Sequence, residues 1–318
     1  MVFDARERQV TVVGASGFIG RYVVQELCRQ GLRVRAVCRH TQRALFLKPL
    51  GGLGQVEIIA ADILKPESLA PAVAGADAVI NLVGTLQGRF EAIHADAAEA
   101  LARLAHQAGA TAFVQVSAIG ADAGSPSRYG RSKADGEARV KQAFPGATII
   151  RPSVVFGPED NFINRFARMV NLLPIVPVVK PDARFQPVWV GDVARAVALA
   201  AADAPHYAGK VFELGGPRAY ALRELVEWIA GVIRCRRLFL PLPDAASEGL
   251  AALGFLPGAP ITRDQWLMLQ KDNVVAKGAK GLEAFGVAPV SLEVAAPEWL
   301  VRYRKHGRFH IDTTAPVL

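Results

Sequence analysis

Tyr129 and Lys133 stand four residues apart, so a helix carries both on one face. An ammonium beside a phenol lowers the phenol pKa, and such a phenol can exchange a proton with a substrate oxygen while a hydride moves. That chemistry needs a hydride carrier. The run Val10 to Val13 followed by Gly14-Ala15-Ser16-Gly17-Phe18-Ile19-Gly20 offers a place for one, a GxxGxxG loop between a strand-like and a helix-like segment. Gly14 permits the tight turn, Gly17 lets the backbone of Ser16, Phe18 and Ile19 approach a pyrophosphate, and Gly20 lets the helix pack closely on the strand.

The end of the second strand decides which dinucleotide fits, because an acidic residue there accepts hydrogen bonds from the ribose hydroxyls of NAD. Here Val37-Cys38-Arg39-His40 stands in that place, with Arg43 behind and no carboxylate. A guanidinium fork matches a phosphate and stacks on adenine, so Arg39, with His40 beside it, points to NADP(H). Asp62, followed by Ile63 after the third strand, is placed to reach the adenine amino group or simply to cap the next turn.

These residues need elements to hold them. Val10–Val13, Val34–Val37, Val56–Ala60, Ala78–Val83, Ala112–Val116 and Thr148–Ile150 read as strands. Amphipathic stretches such as Phe18–Gln30, Ala92–Ala108 and Arg128–Phe144 are long enough for crossover helices between them. The alternation predicts an α/β fold with a doubly wound parallel Rossmann sheet, whose nearly continuous apolar strands are covered on both faces. After Arg151 the prolines 152, 158, 174, 177 and 181 break the rhythm. A strand end and helix at Val188–Ala202, with Asp192 as N-cap, and a strand at Lys210–Leu214 return the chain to the sheet. The expected division is a dinucleotide-binding domain over 1–157, rejoined at about 184–215, and a smaller, mostly helical domain from 158–183 and 216–318, including Leu222–Ile233.

Composition excludes several classes. At 318 residues, 51% hydrophobic and 21% charged, the chain is a packed globular protein. Cys28, Cys38 and Cys235 show neither disulfide nor metal-ligand spacing, so no metal is expected. The charged leader Met1 to Arg8 reads as no signal peptide, and prolines 241, 243, 257 and 260 with Asp244 and Glu248 break the apolar stretch Leu238–Ile261, against a spanning helix. A formal net charge of +8 suits an acidic partner, yet no nucleic-acid motif accompanies it.

The glycine loop, Ala61-Asp62-Ile63, Asn81-Leu82-Val83-Gly84, Tyr129-Gly130-Arg131-Ser132-Lys133 and Arg151-Pro152-Ser153-Val154-Val155-Phe156-Gly157-Pro158 together resemble the extended and atypical short-chain dehydrogenases/reductases. Ser127-Arg128-Tyr129, the stretch Asp135 to Pro145, Phe156 to Phe162, Gln186-Pro187-Val188-Trp189-Val190-Gly191-Asp192-Val193, Ile261-Thr262-Arg263-Asp264 and Asp272-Asn273 narrow this. They resemble the NADPH-binding accessory subunits of respiratory complex I. The resemblance implies tightly bound NADPH, with Val83, Gly84, Ser117, Pro152 and Val154 among the residues that bind it and Tyr129 and Lys133 at the nicotinamide ribose. It implies partners among other complex I subunits where the peripheral and membrane arms join, and a peripheral place on the cytoplasmic or matrix side of a plasma or inner membrane. It also implies a role in assembly and stability.

In active relatives a catalytic Ser or Thr lies a residue or two beyond the first serine after the fifth strand, where this chain has Ala118-Ile119-Gly120 after Ser117. Ser117, Tyr129 and Lys133 are therefore read as vestigial. The apolar stretch Leu238–Ile261 and the basic tail Arg302, Arg304, Lys305, Arg308 fit a docked face that could also meet anionic lipid headgroups, or else a buried core and a solvated helix. The rival reading is a free-standing NADP-dependent reductase or epimerase acting on a quinone, sugar nucleotide or related carbonyl.

Overall fold

The computed structural model describes residues 8–252, 254, 261–305 and 307. Its strands, in chain order, begin with β1 (Gln9–Val13), β2 (Arg33–Cys38), β3 (Val56–Ala60), β4 (Ala78–Asn81), β5 (Ala112–Val116) and β6 (Thr148–Pro152). Then come β7 (Val155–Phe156), β8 (Ile175–Val179), β9 (Arg184–Phe185), β10 (Val188–Trp189), β11 (Val211–Leu214), β12 (Tyr220–Ala221) and β13 (Leu238–Leu242). Seven of them form one sheet in the order β11-β6-β5-β4-β1-β2-β3. Every pairing in it is parallel. The order reverses between β1 and β4, and the crevice outside the carboxyl ends of those two strands is where such sheets bind ligands.

The helices among the described residues are α1 (Phe18–Arg29), α2 (Pro66–Val73), α3 (Ala97–Gln107), α4 (Arg128–Ala143), α5 (Ile163–Leu172), α6 (Val190–Ala202), α7 (Ala204–Tyr207), α8 (Leu222–Val232), α9 (Asp244–Ala252), α10 (Arg263–Met268), α11 (Leu292–Ala295) and α12 (Pro297–Leu300). Alternate side chains of the central strands enter two cores. Val10, Val12 and Val34 meet Val23 and Leu27 of α1 and Val193 and Val197 of α6 on one face. Val79, Phe113 and Ile149 meet Leu69 of α2, Leu101 of α3 and Val140 of α4 on the other. This two-sided burial is why the strands read as unbroken apolar runs. Cys28 and Cys38 lie buried in the first of these cores.

A third core gathers Ile163, Val170, Val176, Leu225, Ile229 and Trp299, built by α5, β8, α8 and the segments after residue 290. Helices dominate it, and three two-stranded sheets border them, β7 with β10, β9 with β12 and β8 with β13. The strand at Leu238–Leu242 had no alternation to betray it, since both of its faces carry apolar residues. Two local expectations also need correction. Asp192 does not cap α6; it sits in the first turn, where its Oδ2 accepts from the Val290 amide at 2.8 Å. The expected helix over 92–108 opens with a π turn, Ala92–Asp96, before α3 begins.

That π turn packs against α4 with no room to spare, since a Cβ on Gly136 would run into the carbonyl oxygen of His94. Gly136→Ala should therefore force the helix outward and cost about 1–3 kcal/mol, as overpacking does. Denaturant unfolding should show a lower midpoint at unchanged slope; an unchanged midpoint would contradict this packing.

Candidate functional site

The glycine loop lies at the carboxyl end of β1. Gly14 has φ of 88°, a conformation L side chains rarely adopt, and its amide donates to Val37 O at 3.1 Å. Gly17 is the N-cap of α1, and neither a capping side chain nor an acidic residue occupies the first turn. Its position is exposed, with Phe18 and Ile19 half-buried behind it. Gly20 is where α1 crosses the loop, and a Cβ there would collide with the carbonyl oxygens of Gly14 and Ala15. The three glycines thus occupy the turn, the helix start and the close crossing that their spacing suggested.

Beside the loop, Arg39, His40, Ala60, Ala61, Asp62 and Lys65 line a cavity of about 470 Å³. Lys65 was not singled out by sequence reasoning; it follows Asp62 by three residues and brings a second cation to Arg39. Asp62 Oδ1 accepts from the Leu64 amide at 3.1 Å, so this carboxylate does cap its turn while also facing the cavity. Ile63 is buried behind it.

On the other side of the loop, Asn81 is fully buried at the end of β4 and shapes the next residues. Its Nδ2 donates to Gln115 Oε1 at 2.9 Å and its Oδ1 accepts from the Val83 amide at 3.1 Å. Val83 thereby packs against Gly14, and Gly84 lies where a Cβ would stand 3.2 Å from Lys133 Nζ. Lys133, 5% exposed, donates to Val116 O at 3.4 Å. Burial pulls its ammonium down to about 8, against the opposing pull of the Glu137 carboxylate. Its Nζ stands 5.9 Å from the centre of the Tyr129 ring.

The Tyr129 phenol departs from the expectation. Burial pushes it up to about 12, and the neighbouring ammonium does not bring it down. Ser117 Oγ is buried with no hydrogen-bond partner among the described residues, an orphaned donor and acceptor at the carboxyl end of β5. Pro152 and Val154 follow at the end of β6, where the Asn273 side chain accepts from the Val154 amide at 3.0 Å. The orphaned hydroxyl, the uncapped glycine-lined helix start and the two-cation cavity all fit a dinucleotide lying across the loop.

The residue that sequence reasoning missed altogether is His94. It is 2% exposed, its Nε2 accepts from the Thr85 amide at 3.0 Å, and its Nδ1 is 2.9 Å from Ser132 Oγ. Because Thr85 must donate, the ring proton lies on Nδ1 and is given to Ser132, which donates onward to Tyr129 O at 2.9 Å. The imidazole also meets the Tyr129 ring edge-on at 5.3 Å between centroids. A histidine inside a helical pattern carries no signal of this kind.

The NAD(P)H-binding family matches residues 14–155 of the chain. Over 93% of the chain and 78% of the relative, the sequence is 36% identical to the mitochondrial NADH dehydrogenase [ubiquinone] 1 alpha subcomplex subunit 9 of Arabidopsis thaliana. The chain belongs to that family of complex I subunits. It is also 32% identical to the ceramide reductase of Caulobacter vibrioides, over 81% of the chain and 80% of that relative. An NADPH-dependent quinone oxidoreductase from Escherichia coli, complexed with NADPH, shares the fold with a TM-score of 0.74 and 19% identity over 92% of this chain and 99% of that one. Among the described residues, no helix of this subunit-9 relative is long and apolar enough to cross a membrane.

Burial and the Lys133 charge hold the His94 imidazole down at about 3, against an ordinary 6.5. The unfolded chain therefore takes up this proton first, so the contribution is present above pH 6.5 and is lost as pH falls toward 3. The stability of the nucleotide-free protein should fall more steeply below pH 6.5 than that of His94→Gln. Parallel curves in denaturant unfolding across that range would contradict the assignment.

Proposed function

We propose that this chain is an accessory subunit of respiratory complex I that holds NADPH as a structural ligand and has no catalysis of its own. The observation that carries the reading is an imbalance within one site. The cofactor half keeps the groups a dinucleotide needs, from Gly14, Gly17 and Gly20 to the cavity with Arg39 and Lys65. The chemical half is incomplete, because no hydroxyl follows Ser117 at the positions Ala118, Ile119 and Gly120 and the Tyr129 phenol is raised to about 12. Arg39, His40 and Lys65 would take the 2′-phosphate of the adenine ribose, the glycine loop the pyrophosphate, and Ser117, Tyr129 and Lys133 the nicotinamide ribose. A ligand that binds only the folded chain stabilises it by mass action, about 2.7 kcal/mol at a hundredfold excess over Kd.

In this reading residues 1–157 with about 184–215 form the nucleotide lobe, and 158–183 with 216–318 form the lobe that docks near the junction of the two arms, on the peripheral side of the membrane. The open face of the β8–β13 ribbon supports docking. Ile175 pairs with Leu238 and Pro177 with Leu240, and Ile175, Leu238 and Leu240 are 49%, 62% and 49% exposed. Leu172, 77% exposed, extends the patch from the end of α5. Arg237 borders it, its guanidinium laid on the carbonyls of Val170 and Asn171. Such a face suits subunit surface with anionic headgroups at its rim. The basic tail contributes less than its sequence suggests. Arg302 and Arg304 hydrogen-bond inward, to Asn164 and to Val232 O, while Lys305 is exposed and Arg308 lies outside the described residues.

Gly17→Glu tests the structural-ligand reading, since it puts bulk and negative charge where the phosphates belong. Bound nucleotide should be lost and less intact complex I should accumulate, while the intact particles turn over normally. Native gels with in-gel NADH oxidation separate amount from rate. Unchanged amount and integrity of complex I, with the nucleotide gone, would contradict the proposal.

The second reading, a free-standing carbonyl reductase, is favoured by the survival of both Tyr129 and Lys133 at one site. It predicts NADPH-dependent reduction of a quinone or related carbonyl by the purified chain, and a loss on the order of a hundredfold in Tyr129→Phe. The accessory reading predicts no such turnover by the purified wild-type chain.

A further inference from the structure

The segment 262–276 falls in the docking lobe in sequence, yet its side chains reach α4, the loop after β5 and the exit of β6. At its start Thr262 and Gln265 form a reciprocal capping box that fixes the entry to α10. Trp266 is buried there with Ala251 and Ile261, against Val179 at the end of the β8–β13 ribbon. Fixed in this way, Asp264 faces the first turn of α4. Its carboxylate accepts from Ser127 Oγ at 2.9 Å, from the Arg128 amide at 2.7 Å and from the Tyr129 amide at 3.2 Å. A negative group taking the free amides at a helix N-terminus also offsets the helix dipole.

Further along, Asn273 grips the opposite wall. Its Oδ1 accepts from Ser153 Oγ at 2.7 Å and from the Val154 amide at 3.0 Å, and its Nδ2 donates to Ile119 O at 3.4 Å. One short segment therefore ties α4, the loop after β5 and the exit of β6, the three elements that carry Tyr129, Lys133, Ser117, Pro152 and Val154.

We infer that Asp264 and Asn273 are positioning residues for the nicotinamide half of the pocket, so that nucleotide binding and seating of the segment 262–276 are one coupled equilibrium. This rests on the nucleotide-bound reading above and adds a route from pocket to docking face: Asp264 holds α4, and Trp266, two residues on, seals the end of the ribbon. Coupling of this kind is reciprocal. A seated segment tightens the nucleotide, and the nucleotide in turn protects the segment.

The test uses the full-length chain as wild type, Asp264→Ala and Asp264→Asn, titrated with NADPH and separately with NADH. Amide hydrogen exchange is followed over 265–269 with and without nucleotide. Asp264→Ala should weaken the nucleotide tenfold or more, on the order expected for lost charge-assisted hydrogen bonds. Asp264→Asn, which keeps one acceptor oxygen, should recover part of that. In the wild type the bound nucleotide should slow exchange over 265–269, and in Asp264→Ala it should not. A merely structural residue would lower the stability of the nucleotide-free protein without making that protection depend on Asp264.

Unchanged affinity in both variants, or wild-type exchange over 265–269 indifferent to nucleotide, overturns the inference; the second result decides even where Asp264→Ala does not fold. Binding of NADH alone by the wild type overturns the NADPH assignment, while the variants still decide the coupling with NADH. Binding of neither overturns both.

Discussion

The whole arrangement depends on how closely α1 can approach the carboxyl end of β1. With Gly14 at φ of 88° and no side chain at Gly20, the helix starts directly over the strand and points its free amides into the crevice beside β4. A Cβ at Gly20 would meet two carbonyl oxygens, so the close crossing is a steric condition rather than a preference. The crevice inherits its geometry from that crossing. Val83 leans on Gly14, the buried Asn81 sets Val83, and Gly84 opens the space that the Lys133 ammonium fills.

The same site shows where affinity and chemistry part. Retaining a dinucleotide needs backbone amides, a cation for an extra phosphate and hydroxyls near a ribose, and residues of all three kinds stand around the crevice. Moving a hydride to a carbonyl needs in addition a polarising hydroxyl and a phenol tuned toward neutrality. Here Ser117 is followed by apolar residues and glycine, and burial carries the phenol up. Lys133, drawn down to about 8, is accordingly a weaker cation than a solvated lysine.

Much of the nucleotide half was legible because its signals are local. A glycine spacing, a strand end without a carboxylate and a Tyr-x-x-x-Lys pair each lie within a few residues, and the apolar runs of β1 to β6 follow from burial on both faces. What stayed hidden is long-range. His94 joins Thr85 to Ser132 through a ring whose partners lie 9 and 38 positions away, and Asp264 reaches α4 across 135 to 137 positions. Sequence spacing has no access to such pairs. The raised Tyr129 phenol has a related cause: the proximity of Lys133 can be read from the spacing, whereas the burial that outweighs it depends on packing by distant elements. Leu238–Leu242 was hard to read as a strand because its exposed face is apolar, and a face kept apolar in water is itself the sign of something to be covered.

Co-isolation of the chain with its nucleotide decides whether it is a nucleotide-holding subunit of the assembly. Membranes from the native source, solubilised in mild detergent and separated under native conditions, should yield the chain in stoichiometric amount within a large NADH-oxidising assembly. Acid extraction of that assembly should release one NADP(H) for each copy. Recovery of the chain apart from any such assembly, or within it but without NADP(H), would contradict the account.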